Sequence, residues 1–158
     1  VILVLDSSPL ITLARIAKLP LLQSLAQQTI IPSGVYQEIV NTGKDRPGAL
    51  RVQTTTWFVK KTPTDVSALD RLAQRLGRGE TEAIVLAKEL PGSIVVLDDA
   101  LAQRVAREER TPVVGTVGLL IHAKHRGLFS QFKTDFTRPK AGGVLSRSTP
   151  YQSCPSKN

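Results

Sequence analysis

What this 158-residue chain lacks narrows its class before any motif is read. Its one cysteine, Cys154, lies in a polar stretch near the end, so neither an intramolecular disulfide framework nor a cysteine-rich zinc site can be built. A reducing, cytoplasmic setting fits that usage. Methionine is absent, so Val1 is not an ordinary initiator and a short segment is expected ahead of it. Aromatics make up 4% of the residues, which limits recognition of bases by stacking. With two histidines, His122 and His125, any metal site must draw mainly on oxygen ligands. The apolar opening Val1 to Leu5 is interrupted by Asp6 and Pro9, far short of a bilayer crossing, so a soluble protein without a membrane partner is expected.

What is present points to one globular domain. The apolar share of 41% and the length suffice for a real core. Lys and Arg total 21 against 13 Asp and Glu, a net charge of +8, so a polyanion such as nucleic acid or an acidic protein is the expected partner.

Short apolar runs at Ile2 to Leu5, Thr29 to Pro32, Ser93 to Leu97 and Pro112 to Val114 read as buried strands, with a minor one at Trp57 to Lys60. Helical spacing fills the intervals: Leu10 to Ala17, Leu19 to Leu25, Ser33 to Ile39, Thr64 to Leu76, Glu80 to Leu90, Ala100 to Arg110 and Thr116 to Arg126. Asn41 to Ala49 reads as a loop, and Gly77 with Gly79 as the end of the fourth interval. Strands that are continuously apolar and alternate with helices predict a parallel sheet covered on both faces. Beyond Phe129 the pattern fades, so residues 1–128 are read as the domain and 129–158 as a divergent or poorly ordered tail.

Acids stand at the junctions. Asp6 follows the first strand directly, and Asp98 and Asp99 follow another. Strand ends of an open parallel sheet share one edge, where ligands bind, so these acids are expected to converge. Glu38, Glu80 and Glu82 are candidates to join them from helices. Clustered carboxylates repel, and a hard divalent cation such as Mg2+ or Mn2+ relieves that repulsion while activating water against a phosphodiester. Taken singly each acid has a plainer role: Asp6 as a cap or turn residue, Glu38 as a surface charge, Asp98 and Asp99 as a cap with a first-turn acid. A phosphatase with an aspartyl nucleophile would want an acid where Ser8 stands, and a phospho-receiver would place its acid pair early rather than late.

Five segments together, Leu5 to Ile11, Ile31 to Ile39, Gly79 to Ile84, Leu97 to Asp99 and Gly115 to Lys124, resemble the PIN-like proteins of formerly unknown function related to VapC-type toxins. The resemblance implies an α/β fold, a three-layer α/β/α sandwich with a central parallel sheet. It also implies an endoribonuclease using Mg2+ or Mn2+, as the toxin of a type II toxin–antitoxin pair, with an acidic antitoxin and a homodimeric state. Carried over, Asp6, Glu38, Glu82 and Asp99 become the catalytic and metal-holding acids, with Glu80 the rival of Glu82 and Asp98 beside Asp99. Thr116 or Ser7 matches the small polar residue near the metals. Arg104, Arg107 and Lys124 are candidates for RNA phosphates, and a degenerate module that binds RNA or an antitoxin without cutting is the alternative. The chain departs from the family in carrying glutamate where the central helix usually opens with aspartate. It also departs in the tail, where the family continues with an apolar strand and helix and a replaced reading frame or divergent arm is expected here.

Overall fold

The computed structural model describes residues 1–42 and 46–130. Four aliphatic residues form β1 (Ile2–Leu5), and α1 (Ser7–Arg15) starts one residue later, with Pro9 in its first turn where a missing N–H is harmless. The chain continues through α2 (Leu21–Leu25), β2 (Gln28–Pro32), α3 (Ser33–Thr42), α4 (Ala49–Thr54), β3 (Val59–Lys61) and α5 (Val66–Ala73). Then come α6 (Arg78–Glu89), β4 (Ser93–Val96), α7 (Ala100–Glu108), β5 (Val113–Val114) and α8 (Thr116–His125), closed by a 3-10 turn at Leu128–Ser130.

The five strands lie in the order β3-β2-β1-β4-β5, and every pairing is parallel. Alternate side chains of the sheet feed two cores. Leu3, Leu5, Ile31 and Val96 pack with Leu10, Leu13, Val35 and Leu119 from α1, α3 and α8. Val4, Ile30 and Val95 pack on the other face with Leu72, Ile84 and Val105 from α5, α6 and α7. This is the expected three-layer α/β/α sandwich, and each fully buried aliphatic side chain contributes about 1.5–3 kcal/mol of transfer free energy. None of its helices, among the described residues, is long and apolar enough to cross a membrane.

The chain leaves β1 for β2 on one side, while β4 pairs on the other, Leu5 opposite Val96. The ends of β1 and β4 therefore flank the switch point, where a doubly wound sheet opens a crevice. Asp6 and the pair Asp98 and Asp99 leave the sheet there.

One element went unread in the sequence, and two local expectations need correction. A short helix, α4, occupies 49–54, where no periodic pattern marks it. Asp65, not Thr64, caps α5, its side chain accepting from the Ala68 N–H at 2.9 Å. Gly79 does not end a helix; it sits in the first turn of α6, for a reason found in the site below. The tail expected from 129 onward lies outside the described residues after Ser130.

Candidate active site at the sheet switch point

Asp6 occupies the N-cap position of α1, yet its side chain makes no capping hydrogen bond. The residue is 7% exposed, and its Oδ1 has no hydrogen-bond partner among the described residues. Burial pushes its carboxyl up from the ordinary 3.8 to about 6, the charges of Glu80 and Glu38 add to the rise, and the Ser7 and Ser8 backbone amides pull part of it back. Oδ1 of this buried acid is thus left over from whatever the helix start takes up.

Gly79 explains how the acid is accommodated. A Cβ on Gly79 would stand 2.6 Å from Asp6 Oδ1 and 3.4 Å from a Glu38 carboxylate oxygen. The missing side chain thus lets the first turn of α6 close onto Asp6 and Glu38. One residue on, Glu80 folds back to accept from the Gly77 N–H at 3.2 Å, half of a capping box. Burial raises the Glu80 pKa, and the charges of Asp99 and Glu38 raise it further. Asp99 itself caps α7, accepting from the Ala102 N–H at 2.8 Å. Asp6, Glu38 and Glu80 are therefore close enough to feel one another, and Glu80 also feels Asp99.

Glu82 is turned elsewhere. Its carboxylate, on a residue 9% exposed, accepts from the Gly34 N–H at 2.9 Å and pairs with Arg78 Nε at 2.8 Å. A Cβ at Gly34 would overlap both Glu82 carboxylate oxygens, so this contact welds α6 to the start of α3. Glu82 was expected ahead of Glu80; two residues apart on a helix, the side chains point in different directions, and the one close to Asp6 and Glu38 is Glu80. Asp98 is also committed, taking both the backbone N–H and the hydroxyl of Thr116 at 2.7 Å each. That ties the end of β4 to the start of α8 and uses the Thr116 hydroxyl as a donor to Asp98. Ser7 remains beside Asp6.

The cations expected at RNA have local partners or lie exposed. Arg104 lies 3.9 Å from Glu108, Arg107 donates to Gln103 at 3.2 Å, and Lys124 is exposed near the end of α8. Sequence reading missed a different pair. Arg15 and Arg46 line a cleft that also holds Ser7, Ser8 and Glu38. The signal available for Arg15 was its place on α1, one helix length from Asp6.

A family that uses divalent metals would place one at these acids. Among the described residues no three His, Cys, Asp or Glu side chains form a ready-made ligand group. The donors are nevertheless all carboxylate oxygens, and one of them, Asp6 Oδ1, is buried and unpartnered. That suits Mg2+, which keeps several waters and takes only one or two carboxylates.

Comparison with known proteins bears on the family and the fold. A family model described as a PIN domain matches residues 2–153. Among solved structures, the chain is similar to a PilT N-terminus domain protein from the hyperthermophilic archaeon Sulfolobus solfataricus P2. The two are 19% identical, with a TM-score of 0.55 over 78% of this chain and 93% of that one. At that identity the likeness speaks to fold alone. No curated protein matches significantly.

Proposed function

Because the chain belongs to the PIN-domain family, whose members are generally nucleases that use divalent metals, we propose that it is an Mg2+- or Mn2+-dependent endoribonuclease. The observation that carries the reading is Asp6: a buried carboxylate with an unpartnered oxygen, near Glu38 and Glu80 at the switch point, with Asp99 near Glu80. The acids that would hold the ion are Asp6 first, with Glu38, Glu80 and Asp99 around it. When bound, a divalent cation supplies charge against the phosphate and lowers the pKa of water. The protein's own part is to hold these acids in place. Gly79 gives Asp6 its space, the Gly77 amide holds Glu80, and the Ala102 amide holds Asp99. The bond between Asp98 and Thr116 fixes the loop that presents Asp99.

The test is cleavage of single-stranded RNA by purified protein with Mg2+ or Mn2+, against chelator and against Asp6→Asn, Asp99→Asn, Glu80→Gln and Glu82→Gln. Loss of cutting in the first three, with folding intact, is expected. Activity that ignores chelation or survives Asp6→Asn overturns the reading. RNA bound but cut under no metal would favour the binding module without catalysis. The same reading extends to a type II toxin that forms a homodimer and is held by an acidic antitoxin. The net charge of +8 suits such a partner. Sedimentation of the purified chain, and growth arrest on its expression relieved by an acidic protein encoded beside it, test that extension.

A further inference from the structure

The acidic site repels the strand it is proposed to cut, so the neighbouring surface that reverses the charge bears on how RNA is held. An open cleft of about 240 Å3 runs along α1, sharing Glu38, Ser7 and Ser8 with the acids and carrying Arg15 and Arg46. Neither arginine makes an ion pair or hydrogen bond among the described residues, in contrast to Arg71, Arg75 and Arg78, which are committed to glutamates. Hydroxyls of Ser8, Thr12 and Thr42 stand on the same walls, and Thr42 donates to the Glu38 carbonyl at 2.6 Å, leaving its oxygen to accept. No aromatic side chain lines the cleft among the described residues.

We infer that this cleft binds the sugar-phosphate backbone of the RNA strand next to the bond being cut, with Arg15 and Arg46 as its phosphate ligands. The inference rests on the nuclease reading for its orientation but not for the binding itself. The cleft lies below the roughly 300–1,000 Å3 of enclosed small-molecule sites, so it suits a strand passing through rather than a ligand swallowed whole. From Ser7 to Arg15, α1 rises about 12 Å, longer than one anion needs. Guanidinium groups match phosphate oxygens in bidentate fashion, and hydroxyls can serve the ribose. Without a stacking platform, recognition here is of backbone, so the cleft adds affinity with little preference for base.

The experiment measures binding of a labelled single-stranded RNA to the Asp6→Asn protein, which leaves the strand uncut, with and without Arg15→Gln and Arg46→Gln together. A salt series gives the slope of log affinity. Losing two phosphate contacts at about 0.7 each lowers that slope by about 1.4. In the otherwise native chain the same pair of changes raises KM while kcat holds. A second variant, Thr12→Glu, places a negative charge in the cleft and shifts affinity the same way with both arginines kept. The side chains of Arg15, Arg46 and Thr12 make no hydrogen bond or ion pair among the described residues, and thermal melting verifies the fold. Unchanged affinity and slope in folded variants, or a fall in kcat without a change in binding, overturns the cleft and leaves the nuclease standing. A lowered slope in a protein that cuts under no metal supports the cleft while the nuclease falls.

Discussion

At the edge of the sheet where strands begin, Glu108 and Glu109 are matched with cations; at the edge where strands end, Asp6, Glu38 and Glu80 are matched with one another. Glu109, closing α7 just before β5, is held by Arg71 and by Lys88 at 2.6 Å, and Glu108 by Arg75 at 2.6 Å. Hydrogen bonds from Arg71 and Lys88 push the Glu109 carboxyl down to about 2. At the other edge, burial and neighbouring acids push Asp6 up to about 6 and raise Glu80. The nearest arginine on α6, Arg78, goes to Glu82 instead. The first edge spends its acids on holding α5, α6 and α7 together. The second leaves an electrostatic debt that folding alone does not relieve, and such a debt is the mark of a site awaiting a ligand.

The largest effect that separates the edges is on catalysis. Asp6→Asn is expected to lower kcat for RNA cleavage by about a hundredfold or more, the size lost when one charged group of a site is removed. Glu109→Gln is expected to leave kcat where it is. Single-turnover cleavage at saturating metal measures both. Equal losses in the two variants would break the division of labour.

The next effect tests whether Glu82 belongs to the structural side despite lying two residues from Glu80. Gly34→Ala forces a Cβ into the Glu82 carboxylate and disturbs a buried hydrogen bond. Overpacking and the lost bond together are expected to cost about 3 kcal/mol in denaturant unfolding. Glu82→Ala alone leaves the Gly34 N–H unsatisfied at about 2 kcal/mol. Made together, the two changes are expected to cost less than their sum, because the clash is gone. Strict additivity would mean the carboxylate and Gly34 are not in contact.

How much of this was legible in the sequence follows from the same residues. The strands could be read because they are buried on both faces and so continuously apolar, and the acids at their ends because a junction is a position in sequence as well as in space. That Glu80 and not Glu82 lies near Asp6 and Glu38 could not, since it depends on which way each side chain leaves α6 and on Gly34 meeting one of them across 48 residues. Gly79 looked like a helix stop because glycine usually is one; its reason here is the carboxylate of Asp6, which only tertiary packing brings near. Helix α4 has two buried residues, Ala49 and Val52, too few to print a period. The arginines of the cleft are ordinary surface cations until α1 and the end of α3 are set side by side.

Stability against pH separates the edges by sign. Asp6 has its folded pKa above the ordinary value, so the fold binds a proton the unfolded chain has lost between pH 3.8 and about 6. Stability therefore falls as pH rises through that window and stays lower above it, by about 2 kcal/mol after allowing for relaxation around the buried group. Asp6→Asn is expected to flatten this fall and to melt higher than the native chain at neutral pH without metal. Mg2+ is expected to raise the melting midpoint of the native chain more than that of the variant. A native profile that rises from pH 4 to pH 6, with no gain in the variant, would place Asp6 among satisfied acids.

The smallest effect has the opposite slope. Glu109 has its folded pKa below the ordinary 4.5, so its contribution is fully present above that value and is lost as pH falls toward about 2. The Glu109 side chain is 13% exposed, but Arg71 and Lys88 are 56% and 38% exposed, so solvent screens the pairs. That brings the expected cost of Glu109→Gln at neutral pH to about 1 kcal/mol rather than what the shift alone would suggest. Because the loss is screened, it is expected to shrink further in high salt, whereas the effect of Asp6→Asn, on a group 7% exposed, is not. Urea unfolding at low and high salt measures the pair of responses. Equal salt dependence at both positions would mean that burial, and not the presence or absence of a cation, is what distinguishes the two edges.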